Sequence, residues 1–247
     1  MNDPQTQATL EQILRRLEQI EEHTARPHPK VSAWLDTRPN SNHALYKALS
    51  DRALAQTVEI VEKEMPQAML FERSDDILHY ALCKAGRTGA HAEFGVYSGR
   101  TINLMARARP NITFDGFDSF EGLPEEWVGW LDLDFDRKGN MPKVDANVRL
   151  HKGWFEDTLP AYAAQIDHLS FLHVDCDIYS STRTIFDVLE PKINPGCVLL
   201  FDEYFCYPNF QHHERRALSE FLERTGYHAH WIAICGQRAA CEIRTAP

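Results

Sequence analysis

Long apolar runs, paired cysteines and clustered basic residues are all scarce in this chain, and each scarcity removes a class of function. None of its apolar runs approaches the roughly 20 residues that a membrane-spanning helix needs. Its leading residues, MNDPQTQATLEQ, lack the basic-then-apolar order of a secretory signal, so a cytoplasmic protein without membrane attachment is expected. The six cysteines form no CxxC pair and no Cys/His metal spacing. Cys176 and Cys197 fall inside strand-like apolar runs, where a thiol serves as a small hydrophobe. Lysine and arginine number 26 against 36 acids, a formal net charge of −10, and they are scattered. Polyanions are repelled by such a surface, which excludes a general nucleic-acid binder.

What is present divides into two parts. Residues 8–24 carry Leu10, Ile13, Leu14, Leu17 and Ile20 at three- and four-residue steps, the period of an amphipathic helix. So short a helix needs a partner for its stripe. Packing on the same chain and pairing in a homo-oligomer both serve, and an oligomer is expected. The proline-rich stretch RPHPKVSAWLDTRPN reads as a linker or strap. Helices are predicted over 43–64 and 74–86. Ser50 is a candidate cap, and the Met65-Pro66 step is a stop. Residues 1–65 thus read as a helical extension, for oligomerisation or as a lid, ahead of a domain at 66–247.

From Ala90 the pattern alternates. Short apolar strands (AHAEFGV, ITFDGFDS, VRLHKGW, LSFLHVDCD, GCVLLFDEY) are separated by helical stretches, with the turn NPG before the fifth strand. HAHWIAIC and AACEIRT are read as a closing antiparallel hairpin. This order predicts an α/β fold, a mostly parallel sheet with helices on both faces. Ligands in such sheets bind beyond the carboxyl ends of the strands.

Those ends are rich in acids. Glu93-Phe94-Gly95-Val96-Tyr97-Ser98-Gly99-Arg100-Thr101 is a glycine turn without the GxGxxG pattern of a dinucleotide site. The charge of Glu93 opposes a pyrophosphate and suits an ammonium group. Asp118, at the second strand end, is placed for ribose hydroxyls, although a turn or helix-cap aspartate looks the same. After the third strand, Trp154 is suited to flank an adenine and Gly153 to admit its edge, or Trp154 and Phe155 belong to the core. An acidic turn followed by an acidic strand end suits an adenosyl ligand with a cationic tail and no phosphates, which describes S-adenosylmethionine. Phe94, Gly95, Ser98, Thr101, Ser119 and Asp175 complete the predicted cofactor set.

The fourth and fifth strands end in Asp175-Cys176-Asp177 and Asp202-Glu203. Parallel neighbours lie about 4.8 Å apart, so Asp175, Asp202 and Glu203 are predicted to converge on one hard cation, Mg²⁺ or another divalent ion. The competing reading has two of these acids capping the following helices, since Ser180 and Ser181 come next. The long insert after the second strand contains Trp127, Trp130 and Phe135, which either close over the site as a lid or pack against the N-terminal helices.

Taken together, EFGVYSGRT, GFDSFEGLPE, GWFEDTLP, the D-x-D-x-Y-x-S-T run and NPG…FDEY resemble the macrocin O-methyltransferase family over roughly residues 65–245. The resemblance implies a seven-stranded, Rossmann-like class I methyltransferase fold with the last strand antiparallel, and a Mg²⁺-dependent enzyme methylating sugar hydroxyls of natural products. It implies that Glu93, Gly95 and Asp118 hold the cofactor, and that Asp175, Asp202 and Glu203 hold the metal. It also implies that Asp177 is the general base, with Asp175 beside it in catalysis. The chain departs from the family at Cys176, where glycine is usual, and at Glu203, where a second aspartate is common. A catechol-type methyltransferase, a related hydroxylase-like branch with acids at the same strand ends, and a non-catalytic cofactor-binding protein are the alternatives.

Overall fold

A computed structural model describes residues 42–125, 127 and 135–245. The helix expected over 8–24, the proline-rich strap and Trp130 lie outside these residues. The chain divides into two units, residues 1–51 and 52–247. In the first, residues 42–51 are helical and Lys47 pairs with Asp51 at 2.5 Å on the exposed surface.

Helix α1 (Asn42–Glu64) continues into the second unit without a break, so Ser50 is a helix-interior residue and not the cap expected from the sequence. The strong helix formers before it (Ala44, Leu45, Lys47, Ala48 and Leu49) carry the helix through that position. It ends just before Met65-Pro66, as the proline requires.

The second unit continues with β1 (Met69–Leu70), α2 (Ser74–Lys84), β2 (Ala90–Phe94), α3 (Arg100–Ala108), β3 (Phe114–Asp118) and β4 (Val148–Lys152). After these come α4 (Phe155–Ala163), β5 (Leu169–Val174), α5 (Tyr179–Leu189), β6 (Ile193–Phe201), α6 (Glu214–Thr225), β7 (Tyr227–Cys235) and β8 (Arg238–Thr245). One sheet runs β1-β7-β8-β6-β5-β2-β3-β4, with every pair parallel except those made by β8. The seven-strand expectation is met, with the two-residue β1 added at one edge. NPG is not a turn ahead of the fifth strand but a bulge within it. Leu169 pairs with Ile193 and Phe171 with Val198, so β6 advances five residues while β5 advances two.

Side chains alternate across the strands. Ala92, Phe94, Leu172, Val174, Leu199 and Phe201 pack under α4, α5 and α6, which contribute Leu159, Tyr162, Ile185, Phe186, Leu189, Leu218 and Phe221. Phe114, Phe171, Val198 and Leu200 face the opposite layer, with Ile77, Leu78, Ala81 and Leu82 of α2 and Ile102 and Met105 of α3. Both faces of the central strands are therefore covered, which is why they read as continuous apolar runs. Among the described residues no helix is long and apolar enough to cross a membrane.

Register fixes what meets at the carboxyl edge. His151, Phe117, Phe94, Val174 and Phe201 lie in one row across β4, β3, β2, β5 and β6, and Ala239 of β8 completes it. The next position along each strand is then Lys152, Asp118, Gly95, Asp175, Asp202 and, because β8 runs the other way, Arg238. Hydrogen bonds of 2.9 Å from the amides of Gly95, Asp175 and Asp202 to the carbonyls of Phe117, Phe94 and Val174 extend the ladder into that row. The row crosses the β2/β5 boundary, where the strand order reverses and α/β sheets bind ligands.

Gly95 has no room for a side chain. Its φ is +93°, and a Cβ there would stand 1.7 Å from the Asp175 carbonyl oxygen. Gly95→Ala is expected to lower stability by roughly 2–4 kcal/mol, toward the upper end for single substitutions. Chemical denaturation would measure it, and an unchanged midpoint would show that the two strand ends do not approach so closely.

Candidate active site

A cavity of about 530 Å³ opens over this row, within the range of small-molecule sites. It is lined by Gly95, Ser98, Thr101, Asp118, Ser119, Gly153, Trp154, Asp175, Asp177 and Asp202 of the predicted set. Glu93, Phe94 and Glu203 do not line it. Phe94 is a core residue, stacked on Phe117 with ring centres 5.3 Å apart. Glu93 turns toward α3. There it accepts a short hydrogen bond from the Thr101 hydroxyl and stands 3.5 Å from Nδ1 of His173.

Asp118 ties together two of the loops that line the cavity. Its Oδ2 accepts the backbone amides of Val96 (2.8 Å) and Tyr97 (2.7 Å), and its Oδ1 that of Phe120 (2.6 Å). A carboxylate offers about four acceptor positions, so one remains after these three. Ser119 braces the second loop by accepting from the Glu121 amide and donating to the Gly122 carbonyl. Gly153 (φ +143°) leads from β4 into α4 and gives its amide to the Asp118 carbonyl, which puts Trp154 on the cavity wall.

Opposite lie the acids. Ligand atoms of Asp175, Asp177 and Glu203 all fall within 4.8 Å of one another, as do those of Glu93, His173 and Asp175. Asp202 is held elsewhere. Its oxygens accept a two-pronged hydrogen bond from Arg238 at 2.5 and 2.7 Å, and Nε2 of His173 stands 3.7 Å away. The expected trio of Asp175, Asp202 and Glu203 is therefore replaced, in the arrangement seen, by Asp175, Asp177 and Glu203. None of these acids is a helix cap. The residue before α5 is Ile178 with no side-chain cap, and the next helical turn after Glu203, the 3-10 turn Phe210–His212, is preceded by Asn209. Asp177 occupies a left-handed backbone position (φ +64°), which among non-glycine residues asparagine, aspartate and histidine adopt most readily.

The electrostatics follow from this crowding. Burial pushes the Asp177 carboxyl up, and the Asp202 charge adds to it, to about 7. Burial and the Asp202 charge raise Asp175 in the same way, and Glu203 is raised by burial and by the Asp202 and Asp175 charges. Burial opposes charge on His173, but Asp202 and Glu93 outweigh it and hold the imidazole cationic, to about 10. A histidine so held is no base at neutral pH. Asp202 shows the reverse balance, lowered to about 2, because His173 and Arg238 overcome its burial.

Another buried aspartate shows what a purely structural acid looks like. Asp115 accepts hydrogen bonds from Arg149 (2.9 Å to each oxygen), His151 (2.9 Å) and Tyr162 (3.2 Å). By contrast Oε2 of Glu93, Oε2 of Glu203 and Oε1 of Glu214 are buried with no partner. Uncompensated buried carboxylates are costly, and a hard divalent cation satisfies such a set. The donors present fit that ion.

Sequence reasoning missed Arg238 and Glu214. Arg238 opens the closing strand, and only antiparallel pairing brings it beside β6. Glu214 stands at a helix start, where an acid ordinarily signals the helix dipole. The aromatic insert divides: Phe135 lines the cavity and meets Tyr97 edge-on at 5.7 Å, whereas Trp127 packs on the core beside Tyr207.

Residues 134–237 match the family model described as Macrocin-O-methyltransferase (TylF). Over 146 residues the chain is 41% identical to demethyldecarbamoylnovobiocin O-methyltransferase of Streptomyces niveus, covering 49% of this chain and 54% of that protein. It is 32% identical over 106 residues to an 8-demethyl-8-(2,3-dimethoxy-alpha-L-rhamnosyl)-tetracenomycin-C 4'-O-methyltransferase of Streptomyces olivaceus, covering 35% and 40%. The chain thus spans about half or less of these relatives' own length. Among solved structures, the O-methyltransferase NovP superposes with a TM-score of 0.52 at 24% identity, over 70% of this chain and 79% of that one. CalS11, a calicheamicin methyltransferase, does so with a TM-score of 0.52 at 20% identity, over 79% and 91%. The fold is that of a class I methyltransferase.

The raised acids make a prediction for the cation-free protein. A carboxyl raised in the folded state binds a proton that the unfolded chain has released, so stability falls as pH climbs from about 4 through the folded value. His173 acts in the same direction: its stabilisation is complete below about 6.5 and is lost toward 10. Melting temperature is therefore expected to fall between pH 5 and 8, and Mn²⁺ to restore more of it at pH 8 than at pH 5. A flat profile would contradict the crowding.

Proposed function

We propose that the chain is an S-adenosylmethionine-dependent O-methyltransferase, assisted by Mg²⁺ or another divalent cation, acting on a hydroxyl of a sugar-bearing small molecule. The observation that carries this reading is the single row Asp118, Gly95, Asp175 and Asp202, which sets a glycine turn and a carboxylate cluster on one cavity. The names of the two relatives support the acceptor class, since each is an O-methyltransferase and one acts on a rhamnosyl compound.

The residues divide the work. The remaining acceptor position of Asp118 suits a ribose hydroxyl, Trp154 an adenine face, and the turn from Gly95 to Thr101 the aminoacyl end. S-adenosylmethionine supplies a methyl group already activated on sulfonium, so the protein's main task is to align an oxygen with it. Asp175, Asp177 and Glu203 hold the cation, with Asp202 fixed beside them by Arg238. When bound, the ion supplies a Lewis-acid charge that orients acceptor hydroxyls and lowers their pKa. Asp177, on the cavity wall, takes the proton that the acceptor hydroxyl releases. Arg238 and His173 keep Asp202 charged. Phe135 and Tyr97 form an aromatic rim that excludes water from the acceptor side.

Asp177→Asn is expected to reduce turnover by at least 10³-fold, an effect in the range for loss of a general base, with S-adenosylhomocysteine affinity within a few-fold of wild type. Normal turnover would remove Asp177 from the chemistry. Exhaustive chelation is expected to abolish methyl transfer to a glycosylated acceptor, and added Mg²⁺ to restore it. Activity indifferent to chelation would exclude the cation. Equal or better transfer to a catechol would overturn the acceptor class.

A further inference from the structure

Hydrogen-bonded to the backbone of Glu203 stands an acid that the reaction outlined above does not use. Glu214, the first residue of α6, is wholly buried. An acid in the first turn of a helix ordinarily stays at the surface, where it complements the helix dipole at little desolvation cost. This one has turned inward. Its Oε2 accepts the backbone amide of Glu203 at 3.3 Å, and its Oε1 has no partner. The adjoining Arg215 does not neutralise it, because that guanidinium is directed to Glu64 (2.7 Å) and the Tyr204 hydroxyl (3.1 Å). His213 on its other side has a buried Nδ1 without a partner, and desolvation keeps that ring neutral. The charges that Glu214 feels most are those of Asp177, Asp202 and Asp175. Burial and three like charges all disfavour it, and the protein supplies one weak amide in return.

Such an arrangement is stable when positive charge sits among the acids. We propose that Glu214 is a positioning residue of the divalent-cation site: through the Glu203 amide it fixes the backbone of that ligand, and its carboxylate adds a further negative charge against the ion. The inference rests on the cation reading given under Proposed function. It explains how Glu203, one methylene longer than aspartate, is kept in place by a carboxylate hydrogen-bonded to its amide rather than by its own shortness.

The experiment titrates Mn²⁺, without S-adenosylmethionine or acceptor, into the full-length wild-type chain, Glu214→Gln and Glu214→Leu, read by calorimetry and by the loss of the free Mn²⁺ paramagnetic signal. S-adenosylhomocysteine affinity and melting temperature are measured in parallel. Glutamine keeps the shape and the amide acceptor, and leucine fills the volume without a polar atom. Both remove a buried carboxyl that has a single weak partner, so at least one is expected to fold as well as wild type. Each folded variant is expected to bind Mn²⁺ at least tenfold more weakly while its S-adenosylhomocysteine affinity stays within twofold. A folded variant that binds Mn²⁺ within twofold of wild type overturns the role of Glu214 and leaves the cation reading standing. A wild-type chain that binds S-adenosylhomocysteine but no Mn²⁺ overturns both.

Discussion

Backbone register across five parallel strands is the constraint on which this site depends. Because Phe94, Val174 and Phe201 are paired in line, the residues that follow them must emerge side by side, and those residues are Gly95, Asp175 and Asp202. Carboxylates on adjacent strands cannot retreat from one another without breaking the ladder, and the apolar layers beneath leave them no route inward. Gly95 contributes by absence: the Asp175 carbonyl occupies the space a side chain would need.

Given that crowding, the acids sort by their partners. Asp202 has Arg238 and His173 and remains charged; Asp115, deeper in the sheet, has four donors and is inert. Asp175, Asp177 and Glu203 lack such partners and share a small volume. The same residue type is thus held charged where donors surround it and pushed toward its neutral form where they do not. The left-handed backbone at Asp177 belongs to this pattern, since strain persists where surrounding structure enforces it.

Much of this was readable beforehand because parallel α/β architecture is strongly patterned. The strand ends, the glycine turn and the acids at Asp118, Asp175, Asp177, Asp202 and Glu203 stood out from period and polarity alone. Their grouping did not. Sequence spacing carries no information on which neighbours Asp202 meets, and its capture by Arg238 depends on a strand that enters the sheet last and runs backwards. Glu93 looked like a ligand contact, yet strand alternation turns it toward Thr101 and His173, and the same alternation sends Phe94 into the core. Ser50 failed as a cap because the preceding residues are themselves good helix formers, and NPG failed as a turn because the sheet accommodates it as a bulge.

By itself, then, the chain's order of residues determined its fold class, the edge of the sheet that carries function, and the kinds of side chain found there, since all three follow from local period and polarity. Tertiary structure alone decided which carboxylates lie together, which are neutralised, and that Glu214 is buried against the Glu203 amide at the start of its helix. Those outcomes turn on distances between segments far apart in the chain, and on the desolvation of charges that are costly only once other segments have buried them.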